Sequence, residues 1–246
     1  SSSALVKATI SLPQRGNKKR LVELALTNAD ELLRQKKNNT TEETAKQLQE
    51  LLSLERLPRR IEAFDNSHMA GEATVGGMIV FDHENFDKSG YRHYHLDARD
   101  EYGQMRETLS RRIAGFEENP PPDLWLIDGG TTLLTLAKEL LESAGVNLDV
   151  IAISKEKIDA KSHRAKGSAH DQLHSVAESF RLSPSDKRLQ WMQRLRDEAH
   201  RYAITYHQNK KRKEDTQVSL LNQKGIGKAT IKKLVDYFGT FEAIQN

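Results

Sequence analysis

The chain has 246 residues, 37% of them hydrophobic and 30% charged, which is enough apolar material for one well-packed domain and a smaller appendage. Its 38 basic and 35 acidic residues give a net charge of only +3, so bulk charge does not identify a polyanionic partner. The absence of cysteine excludes disulfides and thiolate metal sites. Carboxylate, imidazole and water remain as metal ligands, and they suit hard ions such as Mg²⁺ or Mn²⁺.

No apolar run approaches the roughly 18 residues that a membrane helix needs, and the first residues lack the pattern of a signal peptide. We therefore expect a cytoplasmic protein that binds no membrane and acts on no small-molecule substrate. A serine run at the start and an interrupted helical pattern at the end predict an excised fragment.

The first 58 residues predict two amphipathic helices, one from about Leu21 and one after Asn39, both ending before Pro58. Short runs rich in β-branched and aromatic residues then predict a three-stranded meander. Apolar residues at helical spacing follow from Asp100, and PPDLWLIDGG predicts a buried strand. A further helix and the strand DVIAISKEK complete a mixed sheet with flanking helices, which is an α/β fold.

The last third of the chain predicts a loop with a short hairpin over residues 158–180 and a long helix after Pro184. KKRKED is typical of a solvated linker, and the residues beyond it alternate helix, Gly-rich turn and helix. We therefore predict an N-terminal helical segment, a sheet domain, a linker and a small module, with bounds 1–58, 59–209, 210–217 and 218–246.

Two aspartates lie at the ends of apolar strands, where an uncompensated charge is costly. Asp65 follows IEAF, and Asp128 closes LWLI just before two glycines, at the strand end where α/β sheets place their ligands. Each alone is compatible with a turn or a helix cap. As a pair on separate strands of one sheet, they can converge on a divalent cation, as metal-dependent phosphodiester hydrolysis requires.

A third candidate is His200, which lies beside the apolar face of the long helix, with Asp197 one turn earlier. The functional interpretation makes His200 a metal ligand or proton carrier and Asp197 its orienting partner. The alternative is a boundary histidine among ordinary helix-surface ion pairs. Asp100 and Glu101 either favour a helix N-terminus or complete the metal cluster, and spacing does not choose between these roles.

The small module carries a Gly-rich turn followed by a lysine-rich helix. Exposed backbone N–H groups at such a turn bind phosphate, and neighbouring lysines favour DNA contact without sequence preference. The alternative is a plain helical hairpin with a solvated basic face. The DNA-binding candidates are Gly225, Gly227, Lys228, Lys232 and Lys233.

In combination, these segments resemble the UvrC family of excinuclease subunits. The segments occur in the same order as in that family: LPQRGNKKRLVELALTNA, IEAFDNSH, YRHYHLDARDEYGQMRETLSRRI, PDLWLIDGG, RLRDEAHRYAI and KGIGKATIKKLVDYFGTFEAI. The resemblance implies a ribonuclease H-like endonuclease domain followed by a helix-hairpin-helix module. It also implies the 5′ incision beside a lesion in double-stranded DNA during nucleotide excision repair, with UvrB as partner and UvrA upstream.

The resemblance assigns the family's catalytic and metal-binding triad to Asp65, Asp128 and His200, and matches a further catalytic carboxylate to Glu101. The family also carries a GIY-YIG nuclease domain for the 3′ incision and a UvrB-binding segment, which this sequence lacks, so we expect no 3′ cut. The module ends after about one hairpin instead of two. Two hypotheses follow: an active metal-dependent endonuclease, or a non-catalytic DNA-binding or scaffold fragment of the same complex.

Overall fold

The computed structural model describes residues 13–67, 74–155 and 170–221, together with a few helical positions between 230 and 237. Over these residues the fold is α/β, as predicted: an eight-stranded mixed sheet carries helices on both faces. None of the helices in these ranges combines the length and apolar character needed to cross a bilayer.

Four α-helices are present in the described ranges: α1 (Gly16–Leu52), α2 (Glu101–Ala114), α3 (Thr131–Ser143) and α4 (Lys187–Leu221). A short 3-10 helix spans Lys88–Gly90. The strands are β1 (Arg60–Ser67), β2 (Val75–Asp82), β3 (Asn85–Phe86), β4 (Arg92–His95), β5 (Leu124–Asp128), β6 (Asp149–Lys155), β7 (Asp171–His174) and β8 (Ser179–Phe180).

The sheet order is β3-β2-β1-β5-β6-β7-β8, and β4 also pairs with β2. Strands β1, β5 and β6 run parallel, and the remaining pairs are antiparallel. The predicted meander is confirmed as β1-β2-β4, and β3 adds a two-residue strand at the other end of β2. The predicted hairpin is β7-β8, whereas residues 156–169 lie outside the described ranges.

Alternation along the central strands divides the core into two layers. Ile61 and Ala63 of β1 face a cluster that includes residues of α1 and α4, and Phe64 faces a second cluster built with α2 and α3. The same alternation in β5 places Leu126 with the first cluster and Ile127 with the second. Because side chains alternate with period two, Asp65 and Asp128 belong to the α4 face of the sheet.

Helix α1 is a single helix, and the prediction of two helices is wrong. A second helix was expected to begin after Asn39, Thr40 and Thr41, but the helix continues through these residues, and Thr44 Oγ1 donates to the Thr40 carbonyl oxygen at 2.8 Å. Only the last part of α1 packs on the sheet, through Ala45, Leu48 and Leu52. The earlier leucines, from Leu21 to Leu33, are 58–66% exposed.

Helix α4 continues through residues 210–217, where the sequence predicted a solvated linker. The structure therefore has a helix there where the sequence predicted an irregular linker. Most of the predicted module, residues 218–246, lies outside the described residues. The domain bounds therefore remain predictions.

Candidate active site

Two neighbouring parallel strands in the middle of the sheet, β1 and β5, carry the aspartates at their carboxyl ends. Phe64 of β1 pairs with Ile127 of β5, so Asp65 and Asp128 follow at the same level on adjacent strands. Asp128 is the last residue of β5, at the carboxyl edge where ligands bind in open α/β sheets.

Helix α4 brings His200 over this edge. His200 Nδ1 lies 2.6 Å from Asp65 Oδ2, a contact between residues 135 positions apart in the chain. The imidazole is 59% exposed, whereas the Asp65 side chain is only 11% exposed. One ligand atom from each of Asp65, Asp128 and His200 lies within 4.8 Å of the others, and in the described ranges this is the group that could hold a metal ion.

The electrostatics of the pair follow from burial. Burial raises the pKa of Asp65, although the hydrogen bond from His200 opposes the change. Burial and, second, the charge of Asp65 raise the pKa of Asp128 to about 6. Two carboxylates that repel each other in a poorly solvated place are stabilised when a cation binds between them.

His200 takes Asp65 as its partner, and the prediction that Asp197 orients it is wrong. Asp197 is 67% exposed and accepts hydrogen bonds from Arg196 at 2.8 and 3.0 Å. Arg196 is only 16% exposed and pairs with Asp171 of β7 at 2.7 Å, so it is more than a member of a surface ion pair. Its charge also lowers the pKa of Asp128, so it belongs to the electrostatic surroundings of the site.

The two acidic residues at the start of α2 have different positions. The Asp100 side chain caps the helix by accepting a hydrogen bond from the Gly103 backbone N–H at 2.9 Å. Glu101 is exposed and near enough for its charge to raise the pKa of Asp65. It does not belong to the compact group of three ligand residues. A contribution of Glu101 to metal binding remains a prediction.

Of the five residues predicted to bind DNA, Gly225, Gly227 and Lys228 lie outside the described residues. Lys232 and Lys233 are helical and exposed. The phosphate-binding turn therefore remains a prediction.

Sequence reasoning missed the function of two adjacent glycines in β2. A Cβ atom on Gly77 would lie 2.8 Å from Ala203 Cβ and 2.9 Å from Ala203 Cα of α4. A Cβ atom on Gly76 would lie 2.5 Å from Thr108 Oγ1 of α2, on the other face. Because Gly77 pairs with Asp65, this lack of a side chain lets α4 approach the sheet at the level of the site. A glycine pair inside a strand pattern is the sequence signal for it.

The fold and the site define an α/β protein with a carboxylate–imidazole cluster at the carboxyl edge of parallel strands. The family described as the UvrC RNAse H endonuclease domain matches residues 49–204. UvrABC system protein C of Wolinella succinogenes is 56% identical over 239 residues, which cover 97% of this chain and 40% of that protein. The corresponding protein of Helicobacter acinonychis is 51% identical over the same length and the same shares.

The chain therefore belongs to the UvrC family, and it spans about 40% of the length of these curated relatives. A crystal structure of human ENDOV shows a distant likeness, with 16% identity and a TM-score of 0.32 over 41% of this chain and 47% of that one. That likeness is too weak to support an argument about this chain.

We predict that Asp128 destabilises the metal-free fold increasingly as the pH rises. Below its ordinary pKa of 3.8 the carboxyl is neutral in both states, but above its folded-state pKa of about 6 the fold must hold a buried charge. The stability advantage of Asp128→Asn over wild type should therefore grow by roughly 1 to 3 kcal/mol as the pH rises from about 4 to about 6. This range follows from about 1.4 kcal/mol per pKa unit, reduced for residual solvation. Denaturant unfolding in EDTA measures the difference, and a pH-independent difference would contradict the prediction.

We also predict that Gly77→Ala displaces α4 from the site. The new methyl group meets Ala203 backbone, which cannot move aside cheaply, so stability should fall by about 1 to 3 kcal/mol and Mn²⁺ should bind more weakly. Ala203→Gly in the same chain should restore Mn²⁺ binding in part, because it removes the Cβ contact at 2.8 Å and leaves the Ala203 Cα atom at 2.9 Å.

Gly115→Ala is the matched control, since its Cβ would meet nothing closer than 3.5 Å. Calorimetric Mn²⁺ titration and thermal unfolding of the four proteins check the prediction. Equal Mn²⁺ affinity in wild type and Gly77→Ala would show that the close approach is irrelevant to the site.

Proposed function

We propose that this chain is a metal-dependent endodeoxyribonuclease that makes the 5′ incision next to a lesion in nucleotide excision repair. The observation that supports this most directly is the convergence of Asp65, Asp128 and His200 from three separate elements, with their ligand atoms within 4.8 Å. The family described as an RNAse H endonuclease domain, matched over 49–204, supports the same activity.

The donor set fits a hard divalent cation. Asp65 and Asp128 provide carboxylate oxygens, the chain has no cysteine, and burial and, second, the charge of Asp65 raise the pKa of Asp128. These two residues would hold Mg²⁺ or Mn²⁺, and Glu101, whose charge raises the pKa of Asp65, would add to the negative charge that attracts the ion. When bound, such an ion polarises the phosphodiester and lowers the pKa of a coordinated water.

The contact with Asp65 gives His200 a defined function. The hydrogen bond at 2.6 Å fixes the imidazole ring and engages Nδ1, so Nε2 is the nitrogen that remains to take a proton from an attacking water. The 59% exposure of the ring lets that proton pass on to solvent. His200 therefore acts as a proton carrier oriented by Asp65, in preference to a metal ligand through Nδ1.

The substrate and partners follow from the family. The relatives are called UvrABC system protein C, and that name supports the proposal of damaged double-stranded DNA as substrate, UvrB as partner with UvrA upstream, and a cytoplasmic location. The turn from Gly225 to Lys233 would add contacts to the DNA backbone that carry no sequence preference.

We predict that Asp65→Asn and Asp128→Asn each abolish cleavage, because each removes a ligand charge without changing the shape of the side chain. The assay uses a lesion-containing duplex with a nick already present on the 3′ side, so that only the 5′ cut is measured. Mn²⁺ should raise the melting temperature of wild type and should raise that of neither variant.

Two outcomes would contradict this assignment. If both variants melt below metal-free wild type and still cut DNA, the carboxylates are structural. If wild type binds the duplex but yields no product with Mg²⁺ or Mn²⁺, the chain is a non-catalytic DNA-binding fragment.

We further predict that His200→Ala slows cleavage by about 10²- to 10⁴-fold, the usual contribution of a positioned proton carrier. Asp197→Asn should change the rate little, because its exposed ion pair with Arg196 contributes about 0 to 1 kcal/mol. The comparison of single-turnover rates at saturating Mn²⁺ checks both variants. A large loss in Asp197→Asn with an intact rate in His200→Ala would reverse the assignment.

A further inference from the structure

A cavity of about 210 Å³ lies at the edge of the sheet between β2, β4 and the end of α2, away from the candidate active site. Met78 and Val80 form its apolar wall, and Tyr94 of β4 lines it as well. The volume exceeds the roughly 30 Å³ share of one water molecule several-fold, so a small polyatomic group fits inside.

Charge is the distinctive property of this cavity. Four arginines and one carboxylate line it: Arg60, Arg92, Arg111, Arg112 and Glu62. The formal charge of the lining is therefore 4 − 1, or +3. Asp82 and Glu107, which lie outside the lining, offset two of these arginines, so the charge that remains to attract an anion is mainly that of Arg92.

The floor of the cavity is rigid because its one carboxylate is fully engaged. Arg112 donates to Glu62 through Nε at 2.8 Å and Nη2 at 2.7 Å, and Trp125 Nε1 donates to the same carboxylate at 3.0 Å. Arg112 is 5% exposed and Glu62 1% exposed. The guanidinium carbon of Arg112 also lies 4.6 Å from the centre of the Phe116 ring, and this contact fixes the group further. Glu62 thus orients Arg112 and does not neutralise the other three arginines.

The arginines at the rim differ in how they are compensated. Arg60 pairs with Asp82 at 3.1 Å, and Arg111 pairs with Glu107 at 2.5 Å. Arg92 instead donates from Nη1 to two backbone carbonyl oxygens, those of Ser89 and Tyr91, each at 2.8 Å. Across the described ranges, no carboxylate forms an ion pair with Arg92. Two fixed hydrogen bonds hold its guanidinium in place while its charge stays available.

We propose that this cavity binds a phosphate group, held by Arg92 and Arg111 at the rim above Arg112. Planar guanidinium groups recognise tetrahedral oxyanions through paired N–H donors, which an apolar wall strengthens by excluding water. The part of the proposal that concerns DNA rests on the proposed function: the phosphate then belongs to the DNA backbone.

Helix α2 connects this cavity to the candidate active site. It begins at Glu101, whose charge reaches Asp65, and it ends beside Arg111 and Arg112. Its 14 residues correspond to about 21 Å at 1.5 Å per residue. At 3.4 Å per base pair, this distance is roughly six base pairs, so a duplex lying along α2 could place one phosphate at each end.

The test compares wild type with Arg92→Gln in EDTA, so that no cleavage takes place and failure of the nuclease assignment cannot affect the result. Inorganic phosphate is titrated while the Nε–H resonance of Arg112 is followed by NMR. A short duplex is then titrated across a salt series. We expect a saturable shift of the Arg112 resonance in wild type and none in Arg92→Gln. The slope of log affinity against log salt should fall by about 0.9, the value for one lost phosphate contact.

Arg56→Gln is the matched control, because Arg56 is exposed and lies beside Asp149 at the start of β6, outside the cavity. An unchanged Arg112 resonance in phosphate-free Arg92→Gln shows that the variant is folded. If phosphate shifts the wild-type resonance but both variants keep the wild-type salt slope, the cavity takes a free phosphate and the DNA assignment is overturned. If phosphate causes no shift in wild type, the site itself is overturned. The same holds if Arg56→Gln loses as much of the phosphate-induced shift and of the salt slope as Arg92→Gln.

Discussion

Two buried carboxylates on adjacent parallel strands are the constraint on which the rest of this structure depends. Asp65 and Asp128 lie at the end of apolar strands, where burial raises the pKa of both side chains. A fold that keeps two such groups together sacrifices stability unless something compensates their charge. His200 supplies part of the compensation through a hydrogen bond, and a divalent cation would supply the remainder. The geometry is therefore better explained by ligand binding than by stability.

Close packing maintains this arrangement from both faces of the sheet. The glycine pair in β2 lets α4 approach on one face and α2 on the other, opposite the end of β1. Helix α4 positions His200, and the first residue of α2 brings Glu101 near Asp65. Helix α4, through His200, and helix α2, through Glu101, thus both place an ionisable side chain near the carboxyl end of β1. Since a packed core transmits small displacements, a methyl group added at Gly77 acts on the site without touching any charged residue.

Most of the strands, the mixed sheet with flanking helices and the two aspartates could be predicted from the sequence, because apolar alternation and glycine-flanked strand ends are local signals. The partner of His200 could not. Asp197 is its neighbour along the helix, whereas Asp65 is 135 residues away, and only tertiary packing decides between them. The single α1 helix was missed for a related reason: threonines are common at helix starts, but here Thr40 and Thr41 lie inside a helix that continues on both sides of them.

Strand β1 carries two buried carboxylates, and the contrast between them separates structure from function. Glu62 faces the α2 side, where Arg112 and Trp125 satisfy it with three hydrogen bonds between 2.7 and 3.0 Å. Asp65, three residues later, faces the α4 side, where its side-chain partner is a half-exposed imidazole and Asp128 lies beside it. Burial alone therefore does not mark a functional carboxylate, since both residues are buried. The difference is how much opposing charge the protein supplies: Glu62 has a buried ion pair with Arg112, whereas Asp65 and Asp128 have the imidazole of His200 and the charge of Arg196, which do not cancel the effect of burial.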